Sequence, residues 1–313
     1  MDDLLEAPTN TFIRIAEVWV PEGDRLVLAT GTYDGLEGFG AASARATFAK
    51  GEGLPGKAWA EARPIVLRTL DDSTFHRAKA AAASGLTAAV AIPVFAEDVL
   101  LAILVVLFAD AEHVGAIEVW EDSANSLVLS DGYYGTAEEF ERVSKATTFG
   151  HGQGLPGGVW ASETPILMRD LGASYGFLRA ESAGKAGLKT GLGLPIPTPG
   201  DKTYVLTLLS APGTPIAHRF EIWDAGAERV GPEKKALRID GLCEREGFLA
   251  PKENPPLDAL SVTAWQGPIG RVLGSGLPHV QVGGAGLPAG YTQMVALPIH
   301  HENGLAYVVA WYL

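Results

Sequence analysis

The sequence predicts an α+β protein of three tandem repeats, 1–110, 111–213 and 214–313, each a mainly antiparallel sheet with helices on one face. Three observations point there. Glu17-Val18-Trp19 recurs as Glu118-Val119-Trp120 and again as Glu221-Ile222-Trp223, at spacings of 101 and 103 residues. The stretch from Thr47 to Leu70 matches Thr148 to Leu171 with 13 of 24 positions identical. Every copy closes with an aliphatic-Pro strand (Ile92-Pro93, Leu194-Pro195, Leu297-Pro298) followed by one last strand. The third copy diverges: Gly267-Pro268-Ile269-Gly270 stands where the others have Gly-Leu-Pro-Gly. From the repeated tryptophan to the proline after this helix the spacing is 45, 45 and 55 residues, and from there to the aliphatic-Pro pair 29, 30 and 20. About ten residues are thus gained before its helix and about as many lost after it. Length alone, at roughly 150 residues per domain, suggests two domains; the repeat corrects this to three short ones.

Each unit opens on a hairpin. Residues 12–20 and 25–31 are rich in β-branched and aliphatic side chains, and Pro21-Glu22-Gly23-Asp24 between them is turn chemistry. Glu121–Ser126 does the same in the second copy. A short helix follows, marked by Thr136 with Glu139 three residues on, the pattern of a capping box. In Gly53-Leu54-Pro55-Gly56 the proline suits the first position of a second helix, and Pro64 marks where that helix has ended. Ile65-Val66-Leu67 and Ile166-Leu167-Met168 read as short strands. Arg77 to Ala83 reads as a helix closed by Gly85 in a left-handed cap. Ala88–Val94 and Val99–Phe108 finish the unit, and the second is apolar at every position, so both of its faces must be covered.

Composition narrows the function classes. Apolar residues make up 47% and charged ones 19%, which excludes a disordered chain. Apolar runs are shorter than the roughly 20 residues a bilayer span needs, so no membrane span is expected. The charge of 24 − 37 = −13 repels phosphate backbones and argues against nucleic acid and anionic membrane as partners. Asp2, Asp3 and Glu6 near the start do not fit a signal peptide, and the single Cys243 cannot form an intramolecular disulfide, so a cytoplasmic location is expected.

Gly-x-Gly-Leu-Pro-Gly-x-x-Trp-Ala with Pro-Ile, then Phe-x-Arg-Ala, then Gly-Leu, then aliphatic-Pro, stands as Gly51 to Ile65, Phe75 to Ala78, Gly85-Leu86 and Ile92-Pro93. It recurs as Gly152 to Ile166, Phe177 to Ala180, Gly187-Leu188 and Leu194-Pro195. This pattern resembles the core of GAF domains, and copy three shares it through the repeat. The resemblance implies a small-molecule sensory or dimerisation module with a pocket between sheet and helices. The long helices that usually flank such a domain are absent from the pattern: a strand starts by about Phe12, and a strand ends at Leu313. The acidic and aromatic motif of cyclic-nucleotide phosphodiesterase GAF domains is absent too.

Eight side chains are candidates for ligand binding: Trp59, Arg68, Phe75 and Arg77 in the first copy, and Trp160, Arg169, Phe177 and Arg179 in the second. The tryptophans could wall a pocket for a flat ligand or plug their helices onto the sheet. The arginine pairs could fork onto a carboxylate or phosphate, or form salt bridges with Asp71, Asp72 or Asp170. The glycine-rich turn lacks the Gly-Lys-Ser/Thr ending of a phosphate loop, and its glycines serve tight turning. Cys243 is placed in an irregular insertion of copy three, near Glu244 and Glu246; one cysteine cannot complete the free methionine sulfoxide reduction that some GAF-like enzymes perform. His300-His301 are placed on an exposed turn, and His113, His151, His218 and His279 show no ligand spacing, so no metal site is expected.

The leading expectation is a stand-alone small-molecule-sensing protein that reports in trans, with a ligand whose identity the sequence does not give. The alternative is a structural or oligomerisation scaffold whose pockets are filled by side chains, and a distant one is an enzyme of unknown reaction; no catalytic residues stand out. Without outer helices, the sheet backs should pack on one another around a pseudo-threefold axis or be buried in a homodimer or other homo-oligomer, since leaving such a face wet costs several kcal/mol per domain at roughly 25 cal/mol per Å². The third copy, the most divergent and least acidic, is read as the structural member.

Overall fold

The computed structural model describes residues 11–71, 75–109, 114–173, 176–213, 215–226, 234–244, 247–249 and 260–313. Three antiparallel sheets form, each from one consecutive stretch of chain. The first carries β1 (Ile13–Glu22), β2 (Arg25–Thr32), α1 (Glu37–Ser43), β3 (Thr47–Ala49), α2 (Gly53–Glu61), β4 (Ile65–Leu67), α3 (Ala78–Ala83), β5 (Leu86–Ala96) and β6 (Val99–Ala109), with strand order β3-β2-β1-β6-β5-β4. The second carries β7 (Gly115–Ser123), β8 (Ser126–Tyr133), α4 (Glu138–Lys145), α5 (Gly154–Ser162), β9 (Ile166–Met168), α6 (Ala180–Lys185), β10 (Thr190–Ile196) and β11 (Tyr204–Ser210), in the order β8-β7-β11-β10-β9. The third carries β12 (Arg219–Asp224), β13 (Lys235–Cys243), β14 (Gly247–Phe248), β15 (Ser261–Thr263), α7 (Gly267–Ser275), β16 (His279–Val282), β17 (Gln293–His301) and β18 (Gly304–Tyr312), ordered β14-β13-β12-β18-β17-β16, with β15 beside β13. No helix of the described residues is long and apolar enough to cross a membrane.

The continuous apolar strands have a direct cause. Side chains alternate across a strand, and both sides are covered from Ala102 to Phe108, while Val99 at the hairpin end of β6 stays exposed. On β6, Leu104, Val106 and Phe108 face one cluster while Ile103, Val105 and Leu107 face another. The second cluster lies under the helices of the first sheet. The first is shared: Val18, Ile92 and Leu104 meet Val119, Leu194 and Leu206 of the second sheet and Ile222, Leu297 and Val309 of the third. These nine positions correspond, because Val18 pairs Leu104, Val119 pairs Leu206 and Ile222 pairs Val309. The three sheet backs therefore bury one another within the chain.

The edges close a ring. β4 lies against β8, and β16 against β2. Arg169, just past β9, reaches Asp240 on β13. Arg68, just past β4, takes Asp131 at 3.8 Å and Glu141 at 2.6 Å. The third seam has no such pair at the matching positions, where Val282 and Thr30 stand.

Local departures from expectation have physical reasons. α2 begins at Gly53, so Pro55 sits inside the first turn; its missing N–H is still among the four that lack helical partners. Thr136 does not cap α4: Ala137 holds the N-cap with no side-chain bond, and Glu138, Glu139 and Glu141 serve the helix start through its dipole instead. Gly56 and Gly157 are required by close approach, since a Cβ there would lie 2.1 Å from the Ala49 and Gly150 carbonyl oxygens. Gly157→Ala is expected to lower stability by about 3 kcal/mol, the upper range for overpacking, because the obstructing atom is backbone. Chemical denaturation measures it, and a loss below about 0.5 kcal/mol would show that the turn yields.

Candidate functional site

The glutamate of the repeated Glu-x-Trp motif is the centre of each sheet's helix side. Glu17 sits on β1 fully buried, pointing the same way as Ile15 and Trp19. It accepts hydrogen bonds from Trp19 Nε1 at 3.0 Å, Tyr33 OH at 2.9 Å and Arg77 at 2.6 and 2.8 Å. Arg77 comes from the N-terminal end of α3 and also donates to Ser43 Oγ at the end of α1. Its guanidinium lies 4.7–5.8 Å from the centroids of Phe39, Phe75, Trp19 and Phe48. A planar cation in a box of rings gains cation–π attraction where water is excluded.

The second sheet repeats the arrangement. Glu118 accepts from Trp120 Nε1 at 3.1 Å, Tyr134 OH at 3.1 Å, Thr207 Oγ1 at 2.9 Å and both terminal nitrogens of Arg179, while Arg179 also meets Ser144. Phe140, Trp120, Phe149 and Phe177 surround this guanidinium at 4.6–5.3 Å. Burial works against the Glu118 charge, but the Arg179 guanidinium beside it and the hydroxyls around it outweigh burial and hold its carboxyl below the usual carboxylate range. The phenol of Tyr134 is pushed up, by burial first and by the Glu118 charge second.

The third sheet keeps the glutamate and changes the cation. Glu221 accepts from Trp223 Nε1 at 3.1 Å and Tyr312 OH at 2.8 Å. Its positive partners are Arg219 and Arg238, both on neighbouring strand positions. No helix corresponding to α3 or α6 stands between β16 and β17.

Of the eight predicted side chains, Phe75 with Arg77, and Phe177 with Arg179, come together as walls and content of these cages. Arg68 is not beside Arg77, nor Arg169 beside Arg179: Arg68 and Arg169 stand at the seams on carboxylates of the next sheet. The fork of paired arginines onto an external anion therefore does not assemble, and Arg68 and Arg169 form salt bridges instead, on Asp131, Glu141 and Asp240. The surface salt bridges expected for Arg77 and Arg179 are replaced by buried ones, while Asp72 lies outside the described residues. Trp59 and Trp160 are half-buried and pack against the clusters between helices and sheet, with Lys50 Nζ 5.9 Å from the Trp59 ring and His151 edge-on to Trp160 at 5.1 Å.

Sequence reasoning missed Glu17, Glu118 and Glu221, having used them as repeat markers alone. The signal was present: an acid repeated at one register of an otherwise apolar strand has no place without a buried cation. Cys243 is corrected as well. It ends the regular strand β13, buried, with its Sγ 3.1 Å from Tyr291 OH; Glu246 lies outside the described residues. His300 and His301 belong to β17 and not to an exposed turn, because that strand runs on to the Gly304 hairpin. Buried His300 donates from Nε2 to the Gly276 carbonyl oxygen at 2.8 Å, and His301 packs on Tyr307. Among the described residues, which exclude His113, no group of three or more potential metal ligands gathers.

Burial lowers the pKa of both His279 and His300. The unfolded chain then binds protons that the folded one refuses, so their contribution is complete above about pH 6.5 and falls as the pH drops below it. The urea midpoint should be lower at pH 5.5 than at pH 7.5, and His300→Gln should shrink that difference; an unchanged difference would remove His300 from the account.

Open clefts lie between the second and third sheets. One of about 590 Å³ is lined by Arg169, Lys189, Cys243, Glu244 and Phe248, and Phe248 lies 4.3 Å under the Arg169 guanidinium. Another, of about 430 Å³, is lined by Glu163, Lys202, Tyr204, His300 and His301 among others.

No family model matches the sequence, and no curated protein does. Among solved structures the chain is similar to a free methionine-R-sulfoxide reductase from Neisseria meningitidis in complex with its substrate, at 17% identity over 32% of this chain and 53% of that one, TM-score 0.25. It is similar to the GAF domain of A. aeolicus nlh2 in an inactive state, at 20% identity over 32% of this chain and 61% of that one, TM-score 0.26. It is also similar to a GAF domain/HD domain protein from Geobacter sulfurreducens, at 13% identity over 32% and 65%, TM-score 0.27. The chain thus spans between half and two thirds of the length of these proteins.

Proposed function

We propose that this chain is a small-molecule-sensing protein of three GAF-like units, 1–110, 111–213 and 214–313, that acts in trans and without catalysis of its own. The observation that carries the proposal is the contrast between the units. All three share the sheet, the buried Glu-x-Trp and the turn into the central helix. In the first two, the space between sheet and helices holds the chain's own guanidinium on a carboxylate. In the third, that cation has moved to the strands and the covering helix is gone. Two units then serve as a rigid body, and recognition falls to surfaces that the cages leave open.

A second reading, an oligomerisation scaffold with filled pockets, draws on the cages themselves. The sheet backs that a homodimer would use lie inside the chain, so a scaffold would assemble through other surfaces. Native mass spectrometry of freshly purified protein against its denatured mass separates the two. A retained small mass supports sensing; a clean apo mass in a defined oligomer supports the scaffold.

A further inference from the structure

We propose that the cleft beside the turn into α7 in the third unit binds a small planar anion, an aromatic carboxylate, with the Trp265 indole as stacking platform and the Arg271 guanidinium as charge partner. The site rests on the sensing reading above and gives it a place and a ligand chemistry.

The internal repeat supplies the control. The turn into the helix is closed by the same hydrogen bond in each unit: Gly51 N–H to the Gly56 oxygen at 2.7 Å, Gly152 to Gly157 at 2.8 Å, and Trp265 to Gly270 at 2.6 Å. The donor residue needs a left-handed backbone, with φ of 88° at Gly51, 80° at Gly152 and 71° at Trp265. Two units place glycine there. The third keeps the largest side chain in a conformation that costs a bulky residue on the order of 1 kcal/mol or more. Strain held at an exposed surface position asks for a use beyond packing.

The indole is 67% exposed, yet it is seated. One side rests on the helix at Gly274, where a Cβ would come within 2.4 Å of the ring. The matching residues in the other units are Ala60 and Ala161, so the third unit has made room for this ring by removing a methyl group. The space in front of it is open for a second reason. In the first unit a Cβ on Gly53 would meet Phe48 and His76, and in the second a Cβ on Gly154 would meet Phe149 and the Gly176 carbonyl oxygen. His76 and Gly176 belong to the segments leading into α3 and α6. At the equivalent Gly267 a Cβ would meet nothing within 4 Å. The shortened connection, which held no helix, leaves a cleft of about 580 Å³ lined by Trp265, Gly267, Arg271, His279, Gln281 and Val282. That lies within the usual range for small-ligand sites, about 300–1,000 Å³.

Charge selects the ligand class. Arg271 is exposed and, among the described residues, makes no ion pair, whereas Lys57 at the matching place in the first unit is 3.8 Å from Glu61. A guanidinium with no ion pair among the described residues, lining the same cleft as an exposed aromatic face, suits one carboxylate attached to a flat ring. Gln281 shapes the rim, its Nε2 donating to the Gly283 and Ala285 carbonyl oxygens at 2.9 and 3.2 Å.

The test is calorimetric titration of the full chain with 2-naphthoate and with the uncharged 2-naphthalenemethanol, backed by native mass spectrometry. Naphthoate is expected to bind and to quench tryptophan fluorescence. Arg271→Gln should weaken naphthoate at least tenfold and leave the alcohol unchanged. Trp265→Gly, which installs the residue of the other units, should remove both ligands while the thermal midpoint holds or rises. Naphthoate affinity unchanged in both variants overturns the site. Affinity that instead follows Arg169→Gln moves recognition to the seam cleft and overturns the site while sensing stands. A native adduct that survives Trp265→Gly does the same. Absence of naphthoate binding together with a clean apo mass overturns both the site and the sensing reading.

Discussion

Arg179→Met should lower the stability of the folded chain by about 3–5 kcal/mol, the cost of leaving a buried carboxylate without its counter-charge. Glu118 is fully buried, and its remaining donors, Trp120, Tyr134 and Thr207, are neutral. The double variant R179M/E118Q should recover most of the loss, because a neutral amide next to an apolar chain of similar volume removes the uncompensated charge. Urea denaturation of wild type, both single variants and the double variant completes the cycle. The single variant R179M should also become more stable as the pH falls towards 4, where Glu118 can take a proton, while wild type loses stability there because its Glu118 is held below the usual range. Equal losses in the single and double variants would mean that Arg179 acts as filler for the aromatic box and that its charge is incidental.

The same cages explain what the sequence could and could not disclose. The order of strands and helices followed from apolar runs, Gly-Pro punctuation and the repeat, and the hairpin at residues 21–24 and the last strands lie where those signals put them. The pile-up of the sheet backs was also legible, because Val99 to Phe108 offers two apolar faces and only one set of helices to cover them. Side-chain partners across long separations were not. Arg77 and Glu17 are 60 residues apart, and Arg179 and Glu118 are 61 apart; a motif scan sees an arginine after a phenylalanine and has no measure of where it points. Arg68 and Arg169 were noticed for their charge, but their carboxylates belong to the neighbouring sheet, a placement fixed only once the three sheets close into a ring. The third copy shows the opposite case. Its divergence suggests a structural role, and the structure adds a local difference: after the deletion that follows α7, Gly267 lacks the neighbours that Gly53 and Gly154 have in the other two units.

The shared cluster makes a prediction about how the molecule comes apart. Leu206→Ala should cost about 3–5 kcal/mol, the range for emptying a fully buried leucine site that cannot collapse. The site resists collapse because Leu206 is held on both sides by paired strands, against Val119 on β7 and Leu194 on β10, and faces the other two sheets across the cluster. Since that cluster joins all three sheets, the loss should not be confined to the second. Calorimetry should show one transition for wild type and one, at lower temperature, for the variant, with the calorimetric and van't Hoff enthalpies in agreement. Leu104→Ala and Val309→Ala probe the corresponding positions in the other two sheets and should lower the same single transition, the valine less because fewer methyl groups are removed. Separate transitions, with only one displaced by each substitution, would describe three independent beads on a chain. That outcome would leave the apolar sheet backs without the mutual burial that accounts for their composition.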